Sequence, residues 1–226
     1  MVGPAATRVV AVLTRAPAAG GKRRLFAELG RPPDASLLEA LLLDTLDGVA
    51  DARWRRIVVV EPADACPGVA ASVGAGLTVI PQATGPLGDR MRLTMAALLA
   101  RGVRSVVLIG SDLPTISAAL VADAFDALDE QPLGLVLGPA TDGGFYLIGG
   151  TQAPPGLDGI PWGGPSVLRD TVGVIERAGI PVRLLGPLGD VDSVADLRRV
   201  VALESGTGDE SSARRTRRWA RANLVS

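Results

Sequence analysis

Histidine is absent from this 226-residue chain, and cysteine occurs once, as Cys66. The first absence removes imidazole acid-base catalysis, Ser-His-Asp chemistry and histidine-ligated zinc together. The second excludes an intramolecular disulfide framework and fits a reducing compartment. No apolar run approaches the ~18 residues of a membrane-spanning helix, and residues 1–7 carry no basic stretch leading into a hydrophobic one. A soluble, cytoplasmic protein with no membrane partner is expected. A large charge of one sign is missing too: 23 Lys plus Arg face 24 Asp plus Glu, a formal net charge of -1. Such a surface has no long-range field to recruit nucleic acid, so any anion site must be local. What remains is carboxylate, lysine, arginine and hydroxyl chemistry, the set that suits Mg2+ or Mn2+ and phosphates.

The chain is 47% hydrophobic, enough for one sizeable core without a second domain. Apolar, β-branched runs recur at 8–14, 56–61, 77–81, 105–110, 133–138, 145–149 and 182–185, with stretches of helical period between most of them. That alternation predicts an α/β protein with a mostly parallel sheet flanked by helices. One junction differs: only Thr141-Asp142-Gly143-Gly144 separates two runs, too short for a parallel crossover, so a mixed sheet with one antiparallel pair near the site is expected. Ser36-Leu37-Leu38-Glu39 reads as a capping box opening a helix, a second helix is expected over 87–100, and a third after Ser117. From 205 the composition turns to Gly, Ser and acid, and then to five arginines around Trp219. The reading is a domain over 1–204 and a flexible basic tail over 205–226, the arginines forming a solvated face.

The densest chemistry lies at strand exits. Ser105 to Gly110 runs into Ser111-Asp112-Leu113-Pro114, which delivers a carboxylate to the carboxyl edge of an open sheet, where α/β proteins bind ligands. Asp112 is assigned to a hard cation there, the alternative being a helix cap. The first strand leaves through Thr14-Arg15-Ala16-Pro17-Ala18-Ala19-Gly20-Gly21-Lys22-Arg23-Arg24-Leu25. Consecutive Gly20 and Gly21 let backbone approach an anion, and Lys22 and Arg24 supply positive charge. This fits a phosphate loop, though it is neither a Walker motif nor a dinucleotide fingerprint. Thr14 and Arg15 belong to the same candidate nucleotide site. Gln82, Gly85 and Arg90 sit at another strand exit, the amide suited to a base and the arginine to a phosphate or a helix-surface acid. Asp190 and Asp192 precede an amphipathic helix; in a turn both converge on one cation, and otherwise Asp192 or Ser193 caps that helix. Asp142, Gly143, Gly144 and Tyr146 occupy the short turn and project over the sheet edge as acceptor-side groups.

In this order, Gly21-Lys22-Arg23-Arg24-Leu25, Gln82 with Gly85-Pro86-Leu87-Gly88-Asp89-Arg90-Met91, Gly110-Ser111-Asp112-Leu113-Pro114, the Gly138 to Gly149 stretch, Pro161-Trp162 and Asp190-Val191-Asp192 resemble a bacterial family of small GT-A-like transferases. Its members are often called selenodomain-associated or arsenosugar-type glycosyltransferases. The resemblance covers roughly residues 8–204 and extends to nucleotide-diphospho-sugar transferases and phospholactate guanylyltransferases, whose Lys-Ser-Arg-Leu loop is similar to Lys22-Arg23-Arg24-Leu25. It implies a single-domain GT-A, Rossmann-like fold, with Lys22 and Arg24 on nucleotide phosphates, Asp112, Asp190 and Asp192 on the metal, and Trp162 on the acceptor side. Arg23 and Thr141 depart from the family pattern.

The leading expectation is a metal-dependent glycosyltransferase that passes a sugar from a nucleotide diphosphate sugar to a small-molecule acceptor. In that reading Asp142 is the acceptor-side base and Lys22 stabilises the departing diphosphate. The alternative reaction is guanylyl-type nucleotidyl transfer from a nucleoside triphosphate to a small phosphorylated metabolite, with release of pyrophosphate. A third reading is a non-catalytic nucleotide-binding or assembly module using the arginine-rich tail.

Overall fold

A computed structural model describes residues 8–203 and 212–224. Seven strands, β1 (Arg8–Arg15), β2 (Arg55–Glu61), β3 (Thr78–Pro81), β4 (Ser105–Gly110), β5 (Leu135–Pro139), β6 (Phe145–Gly150) and β7 (Val182–Leu184), form one sheet in the order β3-β2-β1-β4-β6-β5-β7. All pairings are parallel except those of β6, which runs antiparallel to both β4 and β5. The fold is therefore α/β with a mixed, mostly parallel sheet, as the strand spacing implies, and the antiparallel pair is the β5–β6 hairpin over the 141–144 turn.

The central strands are buried on both faces, which is why they read as continuous apolar runs rather than as alternations. Their period of two still decides which cluster each residue enters. Val10 and Val12 of β1 and Val107 and Ile109 of β4 pack beneath helices α2 (Ala35–Gly48), α3 (Cys66–Val73) and α5 (Ala118–Glu130). Val9, Ala11, Val106 and Leu108 face α4 (Leu87–Leu99) and α6 (Val167–Arg177).

A third, smaller cluster lies outside the sheet. It joins Leu25 and Phe26 of α1 (Arg23–Glu28), Leu37 and Leu41 of α2, Val191, Leu197 and Val200 at α7 (Val194–Ala202), and Trp219 and Ala220 of α8 (Arg214–Asn223).

Two local expectations change. Helix α2 is capped by Asp34, whose carboxylate accepts from the Ser36 amide at 2.8 Å, so the start lies two residues earlier than the Ser36 box implies. The tail differs more. Residues 204–211 lie outside the described residues, but Arg214–Asn223 is a helix docked on the domain, with Trp219 and Arg217 buried. The arginines hid an amphipathic face: Thr216, Trp219 and Ala220 turn inward while Arg214, Arg218 and Arg221 face solvent.

Candidate active site

Four parallel strands deliver their carboxyl ends to one edge of the sheet, and the cleft there is about 520 Å3 in volume, within the range of small-ligand sites. Asp112 enters it two residues after β4. A Cβ on Gly110 would lie 2.7 Å from Asp112 Oδ1, so only glycine leaves room for the carboxylate to fold back over the strand end. The following loop is pinned from behind: the Leu113 amide donates to the buried Thr45 hydroxyl at 3.1 Å, and Leu113 itself is buried.

Lys22 reaches Asp112 from the opposite side. It is the only lysine in the chain, and it occupies the left-handed backbone region at φ 47°, ψ 41°, as the cap of α1. That conformation costs a non-glycine residue on the order of 1 kcal/mol. Its ammonium is hydrogen-bonded to Asp112 and to Asp192. Burial alone would lower its pKa, but the two carboxylate charges and hydrogen bonds outweigh burial and hold it above its ordinary value. Asp190 completes the group: one carboxylate oxygen from each of Asp112, Asp190 and Asp192 lies within 4.8 Å of the other two. Burial, and next to it the negative charge of Asp112 and Asp192, pushes the Asp190 carboxyl up to about 6.

These groups suit one hard divalent cation. The donors are all carboxylate oxygens, the chain has no histidine, and Cys66 packs with the apolar cluster under α2, α3 and α5. With one ammonium, three ionised carboxylates carry a net -2, a charge that Mg2+ or Mn2+ would neutralise. The helix-capping alternative belongs to Ser193, whose hydroxyl accepts from the Asp196 amide while the Asp196 side chain accepts from the Ser193 amide, a reciprocal capping box. Asp196 Oδ2 also accepts from the Asp192 amide at 2.9 Å, which leaves the Asp192 carboxylate free for the cluster.

The remaining candidates divide. Thr14, Arg15, Gly20, Gly21, Gln82, Arg90, Asp142, Gly144 and Trp162 all line the cleft. The Arg15 carbonyl accepts from the Thr14 hydroxyl at 2.9 Å, while its guanidinium has no hydrogen-bond or ion-pair partner among the described residues. Gln82 is used by the scaffold: its amide donates to the Thr14 and Val59 carbonyls, both at 3.1 Å, and its oxygen accepts from Arg90 at 2.8 Å. Arg90 also pairs with Glu61, while its Nε is buried without a partner.

Arg24 and Gly85 are not brought into the cleft. Arg24 lies on the outer face of α1, 82% exposed, and pairs with Glu28 at 3.5 Å. Inward positions on α1 belong to Leu25 and Phe26.

On the hairpin side Tyr146 also lines the cleft, and strand alternation divides it from its neighbour Phe145. The Tyr146 ring is buried in the cluster under α5, its hydroxyl donates to the Gly186 carbonyl at 3.0 Å, and burial, then the charge of Asp123, pushes its pKa up to about 12. Phe145 turns to the opposite face instead and meets Trp162 edge-on at 6.1 Å between ring centroids. Gly143 holds the turn at φ 91°, and a Cβ there would meet the Pro165 carbonyl oxygen at 2.2 Å. Asp142 is exposed, and its Oδ1 accepts from the Gly144 amide at 2.9 Å. Sequence reasoning missed Phe145 and Glu61. Glu61 is the last residue of β2, the same strand-exit position that singles out Asp112, so the signal for it was present.

A carboxylate cluster with a largely enclosed lysine at the carboxyl edge of this sheet defines the chain as an α/β protein with a candidate metal and phosphate site at its strand exits. Residues 45–164 match the model of a family described as an uncharacterized protein conserved in bacteria (DUF2064), and the chain belongs to that family. A solved structure from Desulfovibrio desulfuricans G20, described as a nucleotide-diphospho-sugar transferase, superposes with a TM-score of 0.85 at 30% identity, over 96% of this chain and 95% of that one. A curated relative, the 3-phospho-D-glycerate guanylyltransferase of Phenylobacterium zucineum (strain HLK1), is 36% identical over 133 residues. That alignment spans 57% of this chain and 60% of the relative's length. The 4-diphosphocytidyl-2C-methyl-D-erythritol synthase of Anaerococcus prevotii DSM 20548 shares the fold at a TM-score of 0.51 and 13% identity, over 88% of this chain and 96% of that one. Among the described residues no helix is long and apolar enough to cross a membrane.

Proposed function

We propose that the chain is a divalent-metal-dependent nucleotidyltransferase that couples a nucleoside monophosphate unit, from a nucleoside triphosphate, to a small phosphorylated metabolite. The observation that carries this is the placement of the sole lysine against Asp112, both lining the cleft, and against Asp192 of the adjoining carboxylate cluster. The curated relative's name favours nucleotidyl over sugar transfer and makes GTP the first triphosphate to try.

Asp112, Asp190 and Asp192 would hold the ion, which when bound neutralises charge on the triphosphate and on the leaving pyrophosphate. Arg15 is positioned to receive phosphate oxygens, because no group among the described residues competes for its guanidinium. Lys22 supplies a compact, permanently protonated charge where negative charge builds. An acceptor phosphate oxygen forms the new bond to the α-phosphorus as the bond from that phosphorus to the bridging oxygen breaks, and the electron pair leaves with pyrophosphate. A phosphate nucleophile is already ionised near neutral pH, so in this reading Asp142 shapes the acceptor side and is not a base.

The test is incubation with Mn2+, each of the four triphosphates and a panel of phosphorylated three-carbon acids, followed by pyrophosphate assay. Acceptor-dependent pyrophosphate release is expected. Sugar transfer is the second reading, favoured by the likeness to the D. desulfuricans structure; free nucleoside diphosphate from a nucleotide sugar, with no pyrophosphate, would establish it.

A further inference from the structure

The carboxylate cluster is assembled from three places, and only one of them is in the sheet. Asp112 is carried by β4 and its pinned loop. Lys22 begins α1, which has six residues and is too short to be stable in isolation. Asp190 and Asp192 lie in the loop before α7. The loop is tied to the Asp112 backbone by one hydrogen bond, the Val191 amide donating to the Asp112 carbonyl at 3.1 Å; what joins α1 to it is the third apolar cluster, where Leu25 and Phe26 follow Lys22 closely and Val191 sits between the two aspartates.

Helix α8 closes that cluster. The Trp219 ring meets Phe26 edge-on, 6.4 Å between centroids at 88°. Its Nε1 donates to the Ser36 hydroxyl at 3.0 Å and to Asp34 at 3.2 Å, the residues that start α2. The Arg31 guanidinium lies 4.5 Å above the same ring, and its Nη1 donates to Asn223 at 2.9 Å, tying the chain just after α1 to α8 twice. At the far end of α7, buried Arg217 donates from Nε to the Val200 carbonyl at 3.0 Å, a cationic cap on a helix terminus where carbonyls lack partners. The near end of α7 is tied to α1, because Glu28 accepts from the Val194 amide at 2.9 Å.

From this we infer that α8 is a positioning element of the active site: Trp219 and Arg217 set the placement of Lys22 and of the Asp190–Asp192 loop against Asp112, without touching substrate. The inference rests on the proposed metal-dependent reading for its consequence, but it has a readout independent of metal. Lys22 is the sole lysine, so its modification by an amine-directed reagent, followed by peptide mass spectrometry, reports directly on whether the cluster still shields it.

The experiment compares Trp219→Ala, Trp219→Phe and Arg217→Gln with the natural full chain at 15 °C, each shown folded by circular dichroism. Two quantities are measured: Mn2+ affinity, from the signal of free ion, and the Lys22 modification rate without metal. Trp219→Ala is expected to weaken Mn2+ binding at least tenfold and to speed Lys22 modification at least fivefold. Trp219→Phe, which keeps an aromatic ring against Phe26 and Arg31, should recover both to within threefold. Arg217→Gln leaves the apolar contacts intact and should speed Lys22 modification at least threefold, so it decides the matter if Trp219→Ala does not fold. A lowered melting temperature with both readouts unchanged within twofold would reduce α8 to ordinary packing and overturn the inference. If the natural chain binds no Mn2+, the metal-dependent reading fails, while the Lys22 rates still decide the role of α8.

Discussion

The two ends of the cleft are built on opposite principles. At the acid end, Lys22, Asp112 and Asp192 are linked across 90 and 170 positions of sequence, and the charges sit on a strained cap, a strand exit and a pre-helix loop. At the hairpin end, Asp142, Gly143, Gly144 and Phe145 are chain neighbours, joined by Trp162, Gly163 and Gly164 from one further segment. Crowding like charges together is costly unless a cation is gained, so the acid end, with three carboxylates to one ammonium, carries a cost that folding alone does not require. The hairpin end carries none: Asp142 is exposed, and Phe145 and Trp162 are packed as side chains in any core are. The difference assigns fixed phosphate and metal chemistry to one end and adjustable acceptor selection to the other.

The sharpest way to break that division is Asp112→Asn. Asp112 is the member of the cluster held by the sheet, and among the described residues its carboxylate has no hydrogen bond beyond Lys22. Turnover is expected to fall about 1000-fold, corresponding to about 4 kcal/mol of barrier, with Mn2+ affinity falling alongside it and acceptor KM little changed. Pyrophosphate assay and Mn2+ titration check both. Turnover within tenfold of the natural chain would remove the acid end from the reaction.

Asp190 provides a graded version of the same test. Its carboxyl is pushed up to about 6, above its ordinary value of about 4, so between those values the folded protein binds a proton that the unfolded chain has lost. The sign follows: through this group the metal-free protein loses stability as pH rises from about 4 to 6. Metal and proton compete for the same oxygen, so Mn2+ affinity should drop about tenfold from pH 7 to pH 5 through Asp190. Asp190→Asn should flatten that dependence while weakening binding throughout. A natural chain whose Mn2+ affinity is flat over this range would contradict the assignment of Asp190 to the ion.

How much of this was legible in the sequence follows from the range of the forces involved. Strand runs were readable because burial on both faces writes continuous Val and Ile, and the β5–β6 hairpin because four residues cannot make a crossover. Asp112 was readable as a strand-exit acid. The resemblance put Lys22 on phosphates and Asp192 on the metal, but their pairing with each other was not legible, since no local pattern encodes a contact across 170 positions. Arg24 lies outside the cleft because charge type says nothing of which way a short helix turns, and the part played by Phe145 was missed because a one-residue step along a strand changes its face. The docking of α8 was hidden by composition: five arginines dominate the segment, and the inward face depends on partners in α1, α2 and α7.

At the hairpin end the expected effects shrink and change kind. Trp162→Ala removes one wall of the apolar part of the cleft, where the ring meets Phe145. Losing part of such a contact costs about 1 kcal/mol, so acceptor KM should rise roughly fivefold. Mn2+ affinity should stay within twofold, measured on the same samples. A matching loss of Mn2+ binding would show that the two ends are one mechanical unit.

Asp142→Asn has the smallest expected effect and separates the two transfer chemistries. Asparagine keeps the oxygen that accepts from the Gly144 amide, so the turn is preserved while the capacity to take a proton is lost. An acceptor phosphate needs no base, and kcat should stay within threefold of the natural chain across pH 6 to 8. A hydroxyl acceptor does need one, and removing a general base costs about 100-fold or more. A loss of that size, present at pH 7 and diminishing as pH rises, would move the chain from nucleotidyl to sugar transfer while leaving the metal end as described. The acid end serves either reaction because both place charge on a bridging diphosphate. Which reaction occurs is therefore decided at the hairpin, by whether the exposed carboxylate beside Gly144 must accept a proton.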